Sequence, residues 1–232
     1  DTLFSNDPAM PAAHTLRAWL LHHSYDPGHD ESIARDLATA ETAAEDATQR
    51  ERDHVAAVRH LVAGHHEQAA AAWDRVLREH PRDIVAIRCA YFDRYERGDT
   101  IGTRQVAERA LAAFDDDDRW RPHVLGLAAF ARSETDDHHA AEGFGREAAE
   151  RAPEDLWSVH AVAHVLEECA RPREGIRWID QHVSRVDRRV GFSRHLWWHK
   201  ALYALTLDEL DAVLGLYDDV VSGAGSDSHL DL

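Results

Sequence analysis

Two stretches of this chain repeat one another 72 residues apart. His66-Glu67-Gln68-Ala69-Ala70, running on to His80-Pro81-Arg82-Asp83, reappears as His138-His139-Ala140-Ala141-Glu142, running on to Ala152-Pro153-Glu154-Asp155. An offset of 72 is two units of about 36 residues, and a unit that short is one supersecondary element. One helical hairpin cannot bury both of its faces alone, so such units have to stack. That requirement constrains the fold more than composition does, although 232 residues with 44% hydrophobic side chains are ample for a stacked core.

The segments between breaks show apolar spacings of three and four, and none shows sustained strand-type alternation. Breaks fall near Asp26-Pro27-Gly28, Gly64, Pro81, Gly98, Asp115 to Asp118, Asp136-Asp137, Pro153, Arg171-Pro172, Asp187 and Leu207-Asp208. They predict about twelve helices paired into about six hairpins. The expected fold is an all-α, right-handed superhelical solenoid, read as one domain over residues 1–232. At this point the chain resembles the tetratricopeptide repeat, with Gly64, Ala69, Trp73, Val76 and Pro81 at that repeat's turn, close-packing, aromatic and closing positions. Trp73, Trp178 and Tyr217 fall at second-helix spacing and are expected in the core.

In such a stack the first helix of each hairpin lines the concave wall. His160-Ala161-Val162-Ala163-His164 lies on one predicted first helix and His195-Leu196-Trp197-Trp198-His199 on the next, 35 residues later. Residues i and i+4 share a helix face, so each pair can chelate one ion, and adjacent repeats set the pairs side by side. Glu167 continues the face of His164. Leu156, Val159, Ala163 and Leu166 form a separate apolar stripe. Equivalent wall positions in other repeats extend the line to His54, Arg88, Phe130 and Glu134.

Neutral imidazoles suit transition metals, and added carboxylates favour zinc, iron or manganese. The expected metal ligands are therefore His160, His164, His195 and His199. Glu167, His54 and Glu134 are expected in catalytic or accessory roles, and Arg88, Phe130, Trp157 and Trp198 as contacts for a ligand. Neither pair is HExxH, so the zincin arrangement is absent. Cys169 shares the helix of His164 and is expected to be buried and inert.

With 26 Lys plus Arg against 43 Asp plus Glu, the formal charge is −17, which disfavours nucleic acid and anionic membranes as partners. Two cysteines without CxxC spacing, and no long apolar or signal-like segment, fit a cytoplasmic protein.

Several of these stretches together resemble the tetratricopeptide repeat protein 38 family: Pro153 to Glu167, His195 to Tyr203, Gln49 to His54, His66 to Asp83 and, more loosely, Val124 to Glu134. The resemblance spans roughly residues 45 to 217. It implies that His54, His160, His164, Glu167, His195 and His199 are shared polar residues flanked by Trp157 and Trp198. It implies a helical-repeat protein but supplies no reaction. This chain has Tyr91-Phe92 where the family has His-Asp, and Leu196 where it has Asn. The family pattern runs on past Leu232, which implies a C-terminally truncated version or a portion of a longer chain.

Three functions follow as expectations. The first is binding of a small molecule, peptide or metal in the concave groove through the His/Glu cluster. The second is a metal-dependent hydrolase or oxygenase using the same cluster. The third is a protein-interaction scaffold.

Overall fold

The structure, a computed structural model, describes residue 4, residues 7–183 and residues 191–221. Among these residues there are twelve α-helices and no strand. They are α1 (Pro11–His22), α2 (Asp30–Ala43), α3 (Gln49–Val62), α4 (His66–Glu79), α5 (Ile84–Glu96) and α6 (Thr100–Ala113), then α7 (Arg121–Ser133), α8 (His138–Arg151), α9 (Leu156–Glu168), α10 (Pro172–Val183), α11 (Gly191–Thr206) and α12 (Leu210–Leu216). Consecutive helices pair as hairpins within two compact units, Asp1–Ala113 and Phe114–Leu232. The break expected at Asp187 lies outside the described residues.

Each hairpin turns through one residue in the left-handed region: Tyr25, Gly64, Gly98, Asp136, Ala170 and Asp208, all with φ between 52° and 73°. Five of the six close in the same way. In the α9–α10 turn the amide of Ala170 donates to the carbonyl of Glu167, and that of Arg171 to Leu166. The same pair of bonds recurs at Gly64 and His65, Gly98 and Asp99, Asp136 and Asp137, and Asp208 and Glu209. These are Schellman closures, which satisfy the last carbonyls of the helix and reverse the chain. Residues 64 and 136, 98 and 170, and 136 and 208 are each 72 apart, so the backbone carries the period seen in the sequence.

Helix starts recur too. Asp83 caps α5 through the amides of Val85 and Ala86, and Asp155, 72 residues on, caps α9 through Trp157. A histidine from the preceding first helix reaches each cap: His54 Nε2 lies 2.8 Å from Asp83 Oδ2, and His123 Nδ1 lies 2.8 Å from Asp155 Oδ2. Arg50 donates to the same oxygen of Asp83 at 2.6 Å. Burial alone would raise the Asp83 carboxyl, but the hydrogen bonds from His54 and Arg50 outweigh it and hold that carboxyl well below the ordinary carboxylate range.

In the second unit the core joins Val159, Val162 and Leu166 of α9 to Trp178 and Ile179 of α10 and Leu196, Trp197 and Tyr203 of α11. Gly145 of α8 lets α9 approach closely, because a Cβ there would stand 2.6 Å from Val162 Cγ2. Trp73 and Trp178 are buried. Tyr217 corrects the sequence reading: it is 55% exposed, on a π-helical turn after α12 that no later helix covers among the described residues. Cys169 is also a correction, since it is exposed as the C-cap of α9, where the chain leaves the core.

Replacing Gly64 by Ala meets no neighbour within 4 Å. Its cost is therefore conformational, about 1 kcal/mol in urea unfolding. Asp83→Asn should destabilise by about 2 kcal/mol at pH 7, because it removes the charge that His54 and Arg50 share. The carboxyl is depressed in the fold, so its contribution is complete above the unfolded carboxylate range. The gap between variant and parent should then close as pH falls below about 4.

Candidate metal centre

His160 and His164 project from one face of α9, and His195 and His199 from one face of α11. Helix α9 packs between α7 and α11. The 35-residue offset, one hairpin, therefore lays the two pairs against each other. The four Nε2 atoms converge: His164 to His160 is 2.9 Å, His160 to His195 is 3.0 Å and His195 to His199 is 3.2 Å. One ligand atom from each of the four lies within 4.8 Å of every other.

Hydrogen bonding alone cannot satisfy this arrangement. A neutral imidazole nitrogen carries either one hydrogen or one lone pair, so each Nε2 completes one N–H···N bond. His160 Nε2 stands at bonding distance from two others, and His195 Nε2 does likewise. At most two of the three contacts can hold a proton at once, which leaves the third a close approach of unbonded nitrogens. A shared cation instead takes all four lone pairs. Nitrogens about 2.0–2.1 Å from one ion stand about 2.9 Å apart at right angles and about 3.4 Å apart at tetrahedral angles. The separations of 2.9 to 3.2 Å fall inside that range.

The surroundings keep His160 and His164 neutral and the rings aimed. His160 is 4% exposed and His199 is 2% exposed. Burial, reinforced by the neighbouring imidazoles, pushes His160 well below the ordinary histidine range and His164 down to about 3. Phe130 of α7, fully buried, stacks on His160 with centroids 5.2 Å apart. Trp157 and Phe192 pack against the same ring, and Trp198 stacks on His195. Among the described residues His160 Nδ1 has no hydrogen-bond partner, so Nε2 is that ring's polar outlet.

The acidic side chains stand outside the nitrogen cluster. Glu167 Oε2 lies 3.1 Å from His199 Nδ1 and can accept its proton, which leaves the Nε2 lone pair pointing to the centre. Glu134 is more distant, 3.8 Å from His164 Nδ1, and its carboxyl is raised by burial and by Glu168.

Other residues anticipated for the wall belong to the first unit. His54 is held on Asp83, a tie that His123 repeats on Asp155, and Arg88 stacks over Phe92 at 4.8 Å. Phe192 was not anticipated. The repeat contains the signal, since Phe192 precedes His195 by three residues as Trp157 precedes His160.

Behind the site, Tyr203 of α11 donates to the carbonyl of Ala163 in α9 at 2.5 Å, and Trp178 donates to Val159 at 2.9 Å. The first bond ties the two histidine-bearing helices together from the core side, and the second fixes α10 on α9.

No protein-family model matches the chain. Among solved structures, the crystal structure of PilW, a widely conserved type IV pilus biogenesis factor, is similar in fold. The TM-score is 0.68 with 13% sequence identity, over 95% of this chain and 96% of that one. The likeness supports an all-α helical-repeat solenoid of the tetratricopeptide-like class. No helix among the described residues is long and apolar enough to cross a membrane.

A Cβ on Gly175 would stand 2.3 Å from the Tyr203 ring, whose hydroxyl is already fixed. Gly175→Ala should therefore force α10 from α11 and cost about 2 kcal/mol in urea unfolding.

Proposed function

We propose that this protein binds a transition-metal ion through His160, His164, His195 and His199. The observation that carries the reading is the convergence of four Nε2 atoms at separations hydrogen bonding cannot fully satisfy. An all-nitrogen set favours zinc, iron or copper over manganese, because Glu167 and Glu134 stand at Nδ1 edges rather than among the Nε2 atoms. Glu167 acts as the outer carboxylate that orients His199. Kinship with the tetratricopeptide repeat protein 38 family belongs to the same proposal, since these four histidines and Glu167 lie in two of the stretches that carry that resemblance.

A second reading, a metal-dependent hydrolase or oxygenase, is favoured by one feature. The cluster is not sealed: His164 keeps 27% side-chain exposure beside Glu134. With an open coordination position such an ion would supply Lewis acidity or an activated water. The solenoid class also supports a protein-interaction role, with a peptide or small molecule held in the concave groove.

Protein purified without added metal should contain close to one equivalent of a transition metal by elemental analysis. The double variant His160→Ala/His164→Ala should lose it. Less than about a tenth of an equivalent, with no uptake on titration, would overturn the proposal. Glu167→Gln should keep the stoichiometry and weaken affinity about tenfold or more in a chelator competition.

A further inference from the structure

The first unit contains a cavity of about 390 Å³ bounded by residues of α1, α3 and α5, together with Met10 and Thr48 just ahead of α1 and α3. Its wall is largely apolar, including Leu16 and Trp19 of α1, Val58 of α3 and Val85 of α5. Two basic side chains of α3, Arg50 and His54, interrupt that wall. Both are anchored by one atom, Asp83 Oδ2, which takes Arg50 through Nε and His54 through Nε2. The anchoring fixes both side chains and leaves the Nη groups of Arg50 as donors, with Nδ1 of His54, in a ring that is 8% exposed, as a second polar atom on the wall. Glu51, the remaining charged group on the wall, is turned to the Thr48 amide and hydroxyl in a capping box.

We propose that this cavity binds a small apolar monocarboxylate, with the hydrocarbon among Leu16, Trp19, Val58 and Val85 and the carboxylate on Arg50 and His54. A planar guanidinium with one edge tied to a protein carboxylate presents its other edge to a second one. With Nε2 committed to Asp83, His54 presents Nδ1 to the same carboxyl group. The volume accommodates about a dozen non-hydrogen atoms, in a mostly apolar pocket with few polar groups, the usual composition of a small-ligand site. The site stands independently of the histidine cluster, which belongs to the other unit.

The probe is 4-phenylbutyrate, with octanoate and benzoate as companions and 4-phenylbutanamide as the uncharged control, titrated calorimetrically into the full chain. At least one of the acids should bind, and the amide should bind at least tenfold more weakly than 4-phenylbutyrate. Arg50→Gln should lower acid affinity about tenfold, and Val85→Phe, which fills the cavity and leaves the Asp83 anchor intact, should abolish binding. Binding should persist in His160→Ala/His164→Ala. Equal affinity for acid and amide would overturn the proposal, as would loss of binding in the double histidine variant or absence of binding by all three acids at about 5 mM.

Discussion

The structure depends on how each hairpin is closed. A left-handed residue after the first helix, with two amides turned back onto the last carbonyls, fixes where the second helix begins and at what angle. Because the closures at Gly64, Gly98, Asp136, Ala170 and Asp208 keep a 72-residue period, helices two elements apart stay in register. Register is what turns a sequence offset of 35 into a spatial contact between α9 and α11. A slip of one residue within either helix would rotate its histidine pair by about 100° relative to the other.

From that register follows a site whose own contacts conflict. Four imidazoles meet in an apolar cage of Phe130, Trp157 and Phe192, where burial holds His160 and His164 below the ordinary histidine range, and their nitrogens make three contacts where protons can bridge only two. A fold that buries such a cluster gives up some stability, and an ion that takes four lone pairs recovers it. Tyr203 holds the arrangement from behind, so relaxation by moving α9 away from α11 would break its buried hydrogen bond to the Ala163 carbonyl.

Much of this was legible in the sequence because it rested on periodicity. The paired repeats, the turns at Gly64 and Gly98 and the two HxxxH faces all express spacings of 3.6 or 72. Burial was harder to read. His160 sat on the polar side of the α9 pattern, yet it is almost fully enclosed, because Phe130 and Phe192 arrive from neighbouring hairpins and cover that side. Partner choice was equally hidden. His54 resembled a fellow of the cluster, and only its contact with Asp83, repeated by His123 on Asp155, shows the tie it makes between hairpins. Tyr217 and Cys169 went against expectation because a helix pattern does not say where covering neighbours end.

The central claim is that the four Nε2 atoms share one ion, and X-ray absorption at the edge of the metal carried by the purified protein tests it most directly. The account predicts a first shell of four nitrogens at about 2.0–2.1 Å, with the outer-ring scattering of imidazole and no sulfur. A shell made only of oxygen, a sulfur ligand, or the same spectrum from the His195→Ala/His199→Ala variant would contradict it.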